Sequence, residues 1–386
     1  MSYSFIETDE NRVIRESVRK FAEKEIFPQA RELDEREEFS VSLTKAMGDL
    51  GLFGTIVDEA YGGQSMDYLS YIIAVEELAR VDGSQAATIA AHNSLGAGPI
   101  YYYGSEEQKR RYLPSLCTGE GLWGFALTEA EAGSDAQSSK TNAVYDEKKN
   151  EWVINGSKIF ITNSACSLTK GITVQAVTDR REDGRPELSC FLVEAGTPGL
   201  KVLEMKKKMM WRASNTGELY FDQLRVPNSA LLGKRGEGFK IMMETLDNGR
   251  LSIGAMGLGL AKGAFEVSLK YAQERKTFGK PIGKHQTIAF KLAEMAMRIE
   301  AAENLMYKAC WLKQTHQAFE KIASMAKLYC SEVAEFCARE GQQIFGGYGL
   351  MKEYPIERFY RDAALLRIGE GTSEIQRLVI SRQIGL

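Results

Sequence analysis

Val153-Ile154-Asn155-Gly156-Ser157-Lys158-Ile159 is the stretch that decides the fold, because it marks a β region inside a chain of otherwise helical pattern. Asn155-Gly156, between Val153-Ile154 and Lys158-Ile159, is the strongest short-range signal for a β-hairpin. Short strand patterns continue on both sides of it, from Gly121 to about Pro227. They are Trp123–Thr128, Thr141–Tyr145, Glu151–Ile154, Lys158–Thr162, Ile172–Val177, Ser189–Val193, Leu200–Leu203 and Glu218–Phe221. The sequence therefore predicts a small β domain over residues 121–230.

Helical spacing of apolar residues precedes the β region. Thr8 is a predicted cap for the first helix, and the capping box Ser105-Glu106-Glu107-Gln108 opens a short helix that stops near Pro114. The helices predicted between them are Val41–Leu50, Met66–Val81 and Ser84–Tyr103. Residues 1–120 are therefore predicted to be all helical.

The helical period returns after Gly236 and persists to the end of the chain. Long helices are predicted over 237–275, 285–314 and 317–345, with a last helix after Thr372. Their short connections are typical of an antiparallel four-helix bundle over residues 231–386. The β domain is thus predicted to be inserted between two helical domains.

Composition excludes several classes of function. The 386 residues carry a formal net charge of -3, which leaves no basic footprint for nucleic acid. No apolar run approaches the length of a membrane span, and the start Met1–Phe5 carries neither a secretory nor a transit signal. Three scattered histidines predict no metal site. Six cysteines without metal-like spacing are interpreted as reduced thiols, which favours a cytoplasmic protein.

The segment Arg367–Gln376 is the strongest candidate for a catalytic site. Ser373 followed three residues later by Gln376 has the spelling of a capping box, so a helix is predicted to begin there. Glu370 precedes that helix between Gly369 and Gly371, and glycines let another molecule approach the backbone closely. Glu370 is either a base held against a substrate or a solvated loop residue that favours the adjacent helix N-terminus.

Two segments of the β region carry groups suited to a flat cofactor. Leu127–Asp135 offers hydroxyls, backbone amides and Gly133 after a strand, a composition that binds the polar edge of a cofactor and its phosphates. Phe160-Ile161-Thr162-Asn163 places an aromatic ring and a hydroxyl at a strand end. Ordinary loop composition and ordinary packing are the alternatives for these two segments.

Three helical segments offer further candidates. Arg275-Lys276-Thr277-Phe278-Gly279 interrupts two helices, and its arginine either holds a pyrophosphate or lies at a solvated helix end. Gln342–Gly349 has consecutive glycines that either admit a ligand or cap a helix. Asp247 and Arg250 lie on an otherwise apolar helix, as a structural ion pair or as contacts for a polar ligand.

Together these segments resemble the acyl-CoA dehydrogenase family over essentially the whole chain. Five motifs occur in the family's order: Phe125–Ser134, Phe160–Asn163, Arg275–Gly279, Gln343–Gly347 and Glu370-Gly371-Thr372. Leu246–Arg250 and Thr372–Arg377 are most similar to the short-chain (butyryl) branch. The resemblance implies a mainly α fold with an inserted β-barrel domain and a C-terminal four-helix bundle. It also implies a homotetramer that binds FAD and makes an α,β-double bond in an acyl-CoA, with electron-transfer flavoprotein as the electron acceptor.

The resemblance also implies roles for individual residues. Glu370 would be the catalytic base that removes the α-proton, while a hydride leaves to FAD. Substrate contacts would come from Ser134, Asp247, Arg250, Gly369 and Gly371. FAD contacts would come from Phe125, Leu127, Thr128, Gly133, Ser134, Phe160, Thr162, Arg275, Phe278, Gln286, Gln343, Gly346, Gly347, Thr372 and Glu374.

Three positions distinguish this chain within the family pattern. Some relatives carry their base on the helix matching 240–260, but the matching residue is Gly249, so Glu370 is the family-consistent base. Relatives acting on straight chains usually have tyrosine before the glutamate, and this chain has Gly369, which predicts a branched, cyclic or aryl acyl group. The glutaryl branch has arginine where this chain has Ala86, which disfavours a dicarboxylic substrate.

Two rival interpretations remain at this stage. One keeps the fold and replaces the acceptor with oxygen, as in a flavin oxidase or monooxygenase, because a fold does not fix its chemistry. The other is a cofactor-free helical binding protein, which the presence of Glu370, Thr162 and Arg275 argues against.

Overall fold

The computed structural model describes residues 7–386; the N-terminal segment Met1–Phe5, interpreted above as carrying no leader, lies outside this range. The N-terminal region is helical, as predicted. Capping boxes at Thr8 with Asn11 and at Ser105 with Gln108 open its first and last helices. The helices are α1 (Asp9–Phe21), α2 (Phe27–Arg36), α3 (Val41–Asp49), α4 (Tyr68–Ala79), α5 (Gly83–Ala91), α6 (Gly98–Tyr103) and α7 (Glu106–Leu116).

The middle region is a β unit, again as predicted. Seven strands form one path in the order β6-β7-β3-β2-β4-β5-β8, and β1 pairs with β4 in parallel. The strands are β1 (Leu122–Ala126), β2 (Asn142–Asp146), β3 (Glu151–Thr162), β4 (Thr169–Arg180), β5 (Pro186–Glu194), β6 (Leu200–Glu204), β7 (Thr216–Pro227) and β8 (Leu231–Leu232). Apolar side chains such as Trp152, Ile172 and Phe191 fill its core.

The predicted hairpin at Asn155-Gly156 is wrong, because β3 runs unbroken from Glu151 to Thr162. The register between β3 and β7 shifts between Ile154 and Gly156, which is the mark of a β-bulge. The extra residue lies in β7, where Gln223 has a φ of 49° and donates its N–H to Asn155 Oδ1 at 2.8 Å. Asn-Gly therefore accommodates a bulge in the partner strand instead of reversing the chain.

A second bulge in the same pair corrects the first. Between Lys158 and Ile161 two residues of β3 oppose one residue of β7, so the extra residue now lies in β3. Phe160 occupies it with a φ of 63°, and its side chain is 62% exposed. Lys158 and Ile161 on either side are buried. The bulge therefore turns an aromatic ring out of the sheet.

The C-terminal region is helical, but it holds one helix more than predicted. The helices are α8 (Gly238–Glu274), α9 (Gln286–Gln314), α10 (Glu320–Phe345), α11 (Ile356–Leu366) and α12 (Ser373–Gln383). The unpredicted α11 buries Ile356, Phe359, Ala363 and Leu366, a spacing that fits one helical face. A two-stranded ribbon, β9 (Lys276–Thr277) with β10 (Lys280–Pro281), joins α8 to α9. The predicted four-helix count is therefore wrong by α11.

Buried charges join the N-terminal helices to α8. Glu76 and Glu77 on α4 are fully buried, and Arg15 Nη1 lies 3.0 Å and 2.8 Å from their carboxylates. Lys262 on α8 reaches Glu76 at 2.6 Å. Burial alone would raise the pKa of Glu76, but Lys262 and Arg15 hold that pKa below its ordinary value. Removing one partner from such a buried pair costs about 3–5 kcal/mol.

The sequence predicts neither a membrane span nor a metal site, and the described residues bear on both points. Within residues 7–386 no helix has the length and apolar character needed to cross a membrane. Nor does this part of the chain bring together three or more histidine, cysteine, aspartate or glutamate side chains able to hold a metal. All six cysteines are free thiols, and only Cys166 is not fully buried.

Candidate active site

Glu370 lies in the short segment between α11 and α12. Glu370 and Gly371 both adopt left-handed backbone conformations, with φ values of 52° and 88°. Gln376 Nε2 donates to the carbonyls of Glu370 and Gly371 at 3.3 Å and 3.0 Å. A non-glycine residue in this conformation costs free energy and persists only where surrounding contacts hold it. The segment is therefore fixed in a shape that the chain would not adopt alone.

The predicted capping box at Ser373 is wrong by one residue. Thr372 is the N-cap of α12, and its side chain accepts the N–H of Ile375 at 3.3 Å. Gln376 does not reach back to a cap N–H, because its amide closes the Glu370 segment. A residue predicted as a helix cap thus holds the candidate base in place.

One oxygen of the Glu370 carboxylate is buried, although the residue as a whole is half-buried. This oxygen, Oε2, has no hydrogen-bond partner among the described residues. Burial raises the pKa of Glu370 to about 7, while Lys327 and Arg250 act in the opposite direction. A Cβ atom at Gly249 on α8 would overlap this oxygen, so only glycine leaves room for the carboxylate. The position of the Glu370 carboxylate therefore depends on the absence of a side chain at Gly249.

Arg250 and Asp247 lie beside Gly249 on α8 and form an ion pair. Arg250 is buried, and its Nε has no partner in the described part of the chain. Burial raises the pKa of Asp247, although Arg250 opposes that rise. Arg250 thus keeps a hydrogen-bond donor without a partner next to the candidate base, as expected for a residue that contacts a polar ligand.

Gly369 leaves open space on the other side of Glu370. The nearest atoms to a Cβ built there belong to Leu365, at 3.7 Å, which is ordinary contact. Gly369 has no left-handed backbone conformation, so a larger side chain is sterically possible. A side chain at this position would therefore contact Leu365 without overlap.

The two cofactor segments of the β unit meet at the bulge in β3. Ile159 N–H donates to Thr128 O at 3.0 Å, which places the Thr128 backbone beside the bulge that contains the exposed Phe160. Thr162 ends the same strand and is half-buried. Phe125 and Leu127 are buried in an apolar cluster, so they offer backbone more than side chain. Gly133 and Ser134 are exposed, with nothing within 4 Å of a Cβ built at Gly133.

A buried pair that sequence reasoning missed holds this loop. Lys158 Nζ lies 2.8 Å from Glu129 Oε1 and donates to Leu127 O at 2.9 Å. Glu129 also accepts the backbone N–H of Lys140 at 2.7 Å and of Thr141 at 3.0 Å. Burial lowers the pKa of Lys158, and Glu129 opposes that change. The available signal was charge on a strand face whose other members are apolar.

The remaining predicted FAD residues form exposed surface. The Arg275 guanidinium lies 5.6 Å from the ring centre of Tyr348, which brings the α8 end to the Gly346–Leu350 turn. Phe278 at the ribbon tip is 94% exposed. None of the contacts described for Arg275 or Phe278 reaches the Glu370 segment. The other exposed or half-buried members are Gln286, Gln343, Gly346, Gly347, Thr372 and Glu374.

Comparison with known proteins identifies the family. Acyl-CoA dehydrogenase models match three consecutive parts of the chain: the N-terminal domain at residues 8–120, the middle domain at 124–224 and the C-terminal domain at 236–385. A short-chain specific acyl-CoA dehydrogenase of Clostridium acetobutylicum is 44% identical over 377 residues, which cover 98% of both chains.

Solved structures agree with this assignment. Butyryl-CoA dehydrogenase from Megasphaera elsdenii superimposes with a TM-score of 0.95 at 41% identity, covering 99% of this chain and 100% of that one. A chain from a structure of the electron transferring flavoprotein of Acidaminococcus fermentans has the same TM-score, identity and coverage. The chain therefore belongs to the acyl-CoA dehydrogenase family and is an FAD-dependent oxidoreductase of that family.

Proposed function

We propose that the protein forms the α,β-double bond of an acyl-CoA thioester, with Glu370 as the base that removes the α-proton. The observation that carries this proposal is the buried, unpartnered Oε2 of Glu370, packed against Gly249. A carboxylate whose pKa is raised to about 7 is a stronger base than one in water, and it still ionises at neutral pH.

The proton chemistry follows from this placement. The α-C–H bond breaks, the proton moves to Glu370 Oε2, and negative charge develops on the thioester oxygen. We assign the backbone N–H of Glu370 as a hydrogen-bond donor to that oxygen. Arg250 and Asp247 hold the CoA arm, and Ser134, Gly369 and Gly371 contact other parts of the substrate. When bound, FAD supplies the acceptor for the β-hydride.

The described residues fit FAD at two surfaces. Phe160, Thr128 and Thr162 are proposed to contact the ring system, because the bulge in β3 exposes Phe160, the Thr128 carbonyl is hydrogen-bonded to the neighbouring Ile159, and Thr162 ends the same strand. Phe125, Leu127, Gly133 and Ser134 complete this surface. The second surface, which we propose contacts FAD of a neighbouring subunit or its adenosine end, consists of Arg275, Phe278, Gln286, Gln343, Gly346, Gly347, Thr372 and Glu374.

The test is loss of the flavin's visible absorbance when the FAD-loaded protein meets acyl-CoA without oxygen. The panel contains butyryl-, isobutyryl-, isovaleryl- and cyclohexanecarboxyl-CoA. We propose that a branched or cyclic group is preferred, because Gly369 leaves open space beside the base. A clear butyryl optimum would contradict this preference, and failure of every acyl-CoA to bleach the flavin would contradict the proposed activity.

Gly369→Tyr is expected to narrow the pocket. The rate ratio of isovaleryl- to butyryl-CoA should fall by about tenfold or more, the range that one or two methylene groups contribute in an apolar pocket. Measuring kcat/KM for both substrates checks this expectation. An unchanged ratio in a variant that still binds FAD would show that Gly369 does not border the acyl group.

We propose electron-transfer flavoprotein as the electron acceptor, supported by the similarity to the chain in the Acidaminococcus fermentans structure. Oxygen is the alternative, because a prolyl acyl carrier protein oxidase is 33% identical with a TM-score of 0.93. Oxygen uptake and dye reduction with the same acyl-CoA separate them. Dye reduction without matching oxygen uptake supports the dehydrogenase.

We also propose a homotetramer in which the ribbon tip is covered by another subunit. Phe278 at the ribbon tip is 94% exposed and Leu350 in the turn after α10 is 71% exposed, so both offer apolar surface that another subunit could cover. Phe278→Ser is expected to lower the mass measured by light scattering and to weaken FAD retention. Val144→Ser removes an exposed apolar side chain from β2 and should change neither. A wild-type monomer would contradict the proposal.

The domain boundaries and the compartment also remain proposals. Boundaries at 1–120, 121–230 and 231–386 are supported by the three family-model segments. A cytoplasmic location is proposed from the six free thiols, since a reducing compartment keeps cysteines unpaired. Limited proteolysis and cell fractionation test these two proposals.

A further inference from the structure

Lys327 on α10 is a buried cation without a carboxylate in contact. Its side chain is fully buried, and no ion pair within residues 7–386 includes it. Burial lowers the pKa of Lys327 to about 8, while Glu370 acts to raise it. Keeping a lysine inside without a paired carboxylate is costly, and such groups concentrate at functional sites.

Among residues 7–386 the ammonium group has one hydrogen bond, and that bond reaches the segment of the candidate base. Lys327 Nζ donates to Gly371 O at 2.7 Å, on the residue that follows Glu370. Gln376 donates to the same carbonyl from the other side. Gly371 O is therefore held from α10 and from α12 at once.

One helical turn further along α10, a second side chain contacts the other end of the segment. Ser331 Oγ lies 3.0 Å from Leu366 O and 2.6 Å from Lys327 O, so its hydroxyl proton is shared between them. Positions four apart lie on one face of a helix. One face of α10 thus contacts both ends of residues 366–371.

Charge around Glu370 is arranged so that two cations face one carboxylate. Lys327 approaches from α10 and Arg250 from α8, and both favour the ionised form of Glu370. The phenols of Tyr68 and Tyr71 on α4 are kept neutral because burial raises their pKa. The other nearby acids are Asp247, already paired with Arg250, and the exposed Glu374 on α12.

We propose that Lys327 is a positioning residue for the reaction: its ammonium fixes the Gly371 carbonyl and holds Glu370 in the ionised form that accepts the α-proton. This inference rests on the proposed role of Glu370 as base. Lys327 neither gives nor takes the proton, which passes from the α-carbon to Glu370 Oε2. Lys327 contributes in two ways. Its hydrogen bond fixes the conformation of the Glu370–Gly371 segment, and its positive charge favours the ionised carboxylate.

Four variants separate these two contributions. Lys327→Gln keeps a hydrogen-bond donor and removes the charge, Lys327→Met removes both, and Lys327→Arg keeps both. Ser331→Ala loosens the other end of the segment without changing any charge. Each FAD-loaded protein is mixed anaerobically with the best acyl-CoA of the panel across a pH series, and the rate of flavin bleaching is recorded. Flavin content and the thermal midpoint report folding.

The direction of the pH effect is fixed by the charge. Without the cation the pKa of Glu370 rises, so more of the base is protonated at a given pH. The acid limb is the acidic side of the pH profile, where the bleaching rate falls as Glu370 is protonated. Its midpoint should move to a pH about one unit higher in Lys327→Gln and Lys327→Met. The rate below that limb should then fall about tenfold and recover at higher pH. Lys327→Arg should keep the wild-type limb, and Ser331→Ala should slow bleaching at every pH without moving it.

Two results would overturn the inference. One is a Lys327→Gln protein that binds FAD and keeps the wild-type acid limb. The other is a Ser331→Ala protein whose limb moves as far as that of Lys327→Gln, since loosening alone would then explain the change. Should Lys327→Met not fold, Lys327→Gln and Lys327→Arg decide the matter. Bleaching by Glu370→Gln at the normal rate would instead refute the proposed base.

Discussion

Replacement of Glu370 by glutamine is expected to slow flavin bleaching by acyl-CoA about 10⁴-fold, the upper range for loss of a general base. Glutamine has nearly the same shape, so the left-handed segment and its contacts to Lys327 and Gln376 remain. FAD binding should be unchanged, because Glu370 is not among the residues assigned to the cofactor. Stopped-flow absorbance without oxygen measures the rate, and the flavin spectrum of the purified protein measures cofactor content.

A matched control is Glu353→Gln, which removes an exposed carboxylate from the same region. Its bleaching rate should equal that of the wild type. Retained activity in Glu370→Gln would assign the proton transfer to another group. Loss of activity together with loss of FAD would point to a structural effect and would leave the catalytic assignment without support.

Gly249→Ala is expected to slow bleaching about 100-fold or more, because a misplacement near 1 Å in a reacting group has that effect. The added methyl group would overlap Glu370 Oε2, which lies at the end of a flexible side chain. The carboxylate therefore swings away, and α8 stays in place. Stability should change little, since alanine also favours a helix over glycine by about 1 kcal/mol.

Gly254→Ala provides the comparison on the same helix. Its methyl group would meet the terminal methyl of Met306, which can shift, and would lie in ordinary van der Waals contact, at 3.5 Å, with the Cα atom of Lys327. Bleaching should stay close to the wild-type rate in this variant. A normal rate in Gly249→Ala would show that the carboxylate has other productive positions. A large drop in thermal midpoint would instead show that α8 moved.

The order of helices, strands and helices could be predicted because periodicity reports which faces are buried. The errors arose where one local pattern serves two structures. Asn155-Gly156 is the spelling of a tight turn, but it also accommodates a bulge in a neighbouring strand, and only pairing with β7 decides between them. Likewise Thr372 and Ser373 are both good caps, and the left-handed turn at Gly371 selects the first.

The site was only partly predictable for a similar reason. The motifs locate Glu370, Phe160 and Arg275 along the chain, but they do not say which side chains lose water. Lys327 has the same sequence signature as a lysine whose ammonium extends to solvent, so its burial required the packing of α10 against its neighbours. The helix α11 did carry an apolar pattern at Ile356, Phe359, Ala363 and Leu366.

The two opposed bulges between β3 and β7 have a consequence for how this region can change. β7 has one extra residue at Gln223, and β3 has one extra residue at Phe160. The pairing register is therefore the same at both ends of the strand pair. Loss of a single residue from either strand would leave the pair out of phase up to its end, at Thr162 and Thr216. Insertions and deletions here should therefore survive only as matched pairs, one in each strand. The lengths of β3 and β7 are therefore expected to change together.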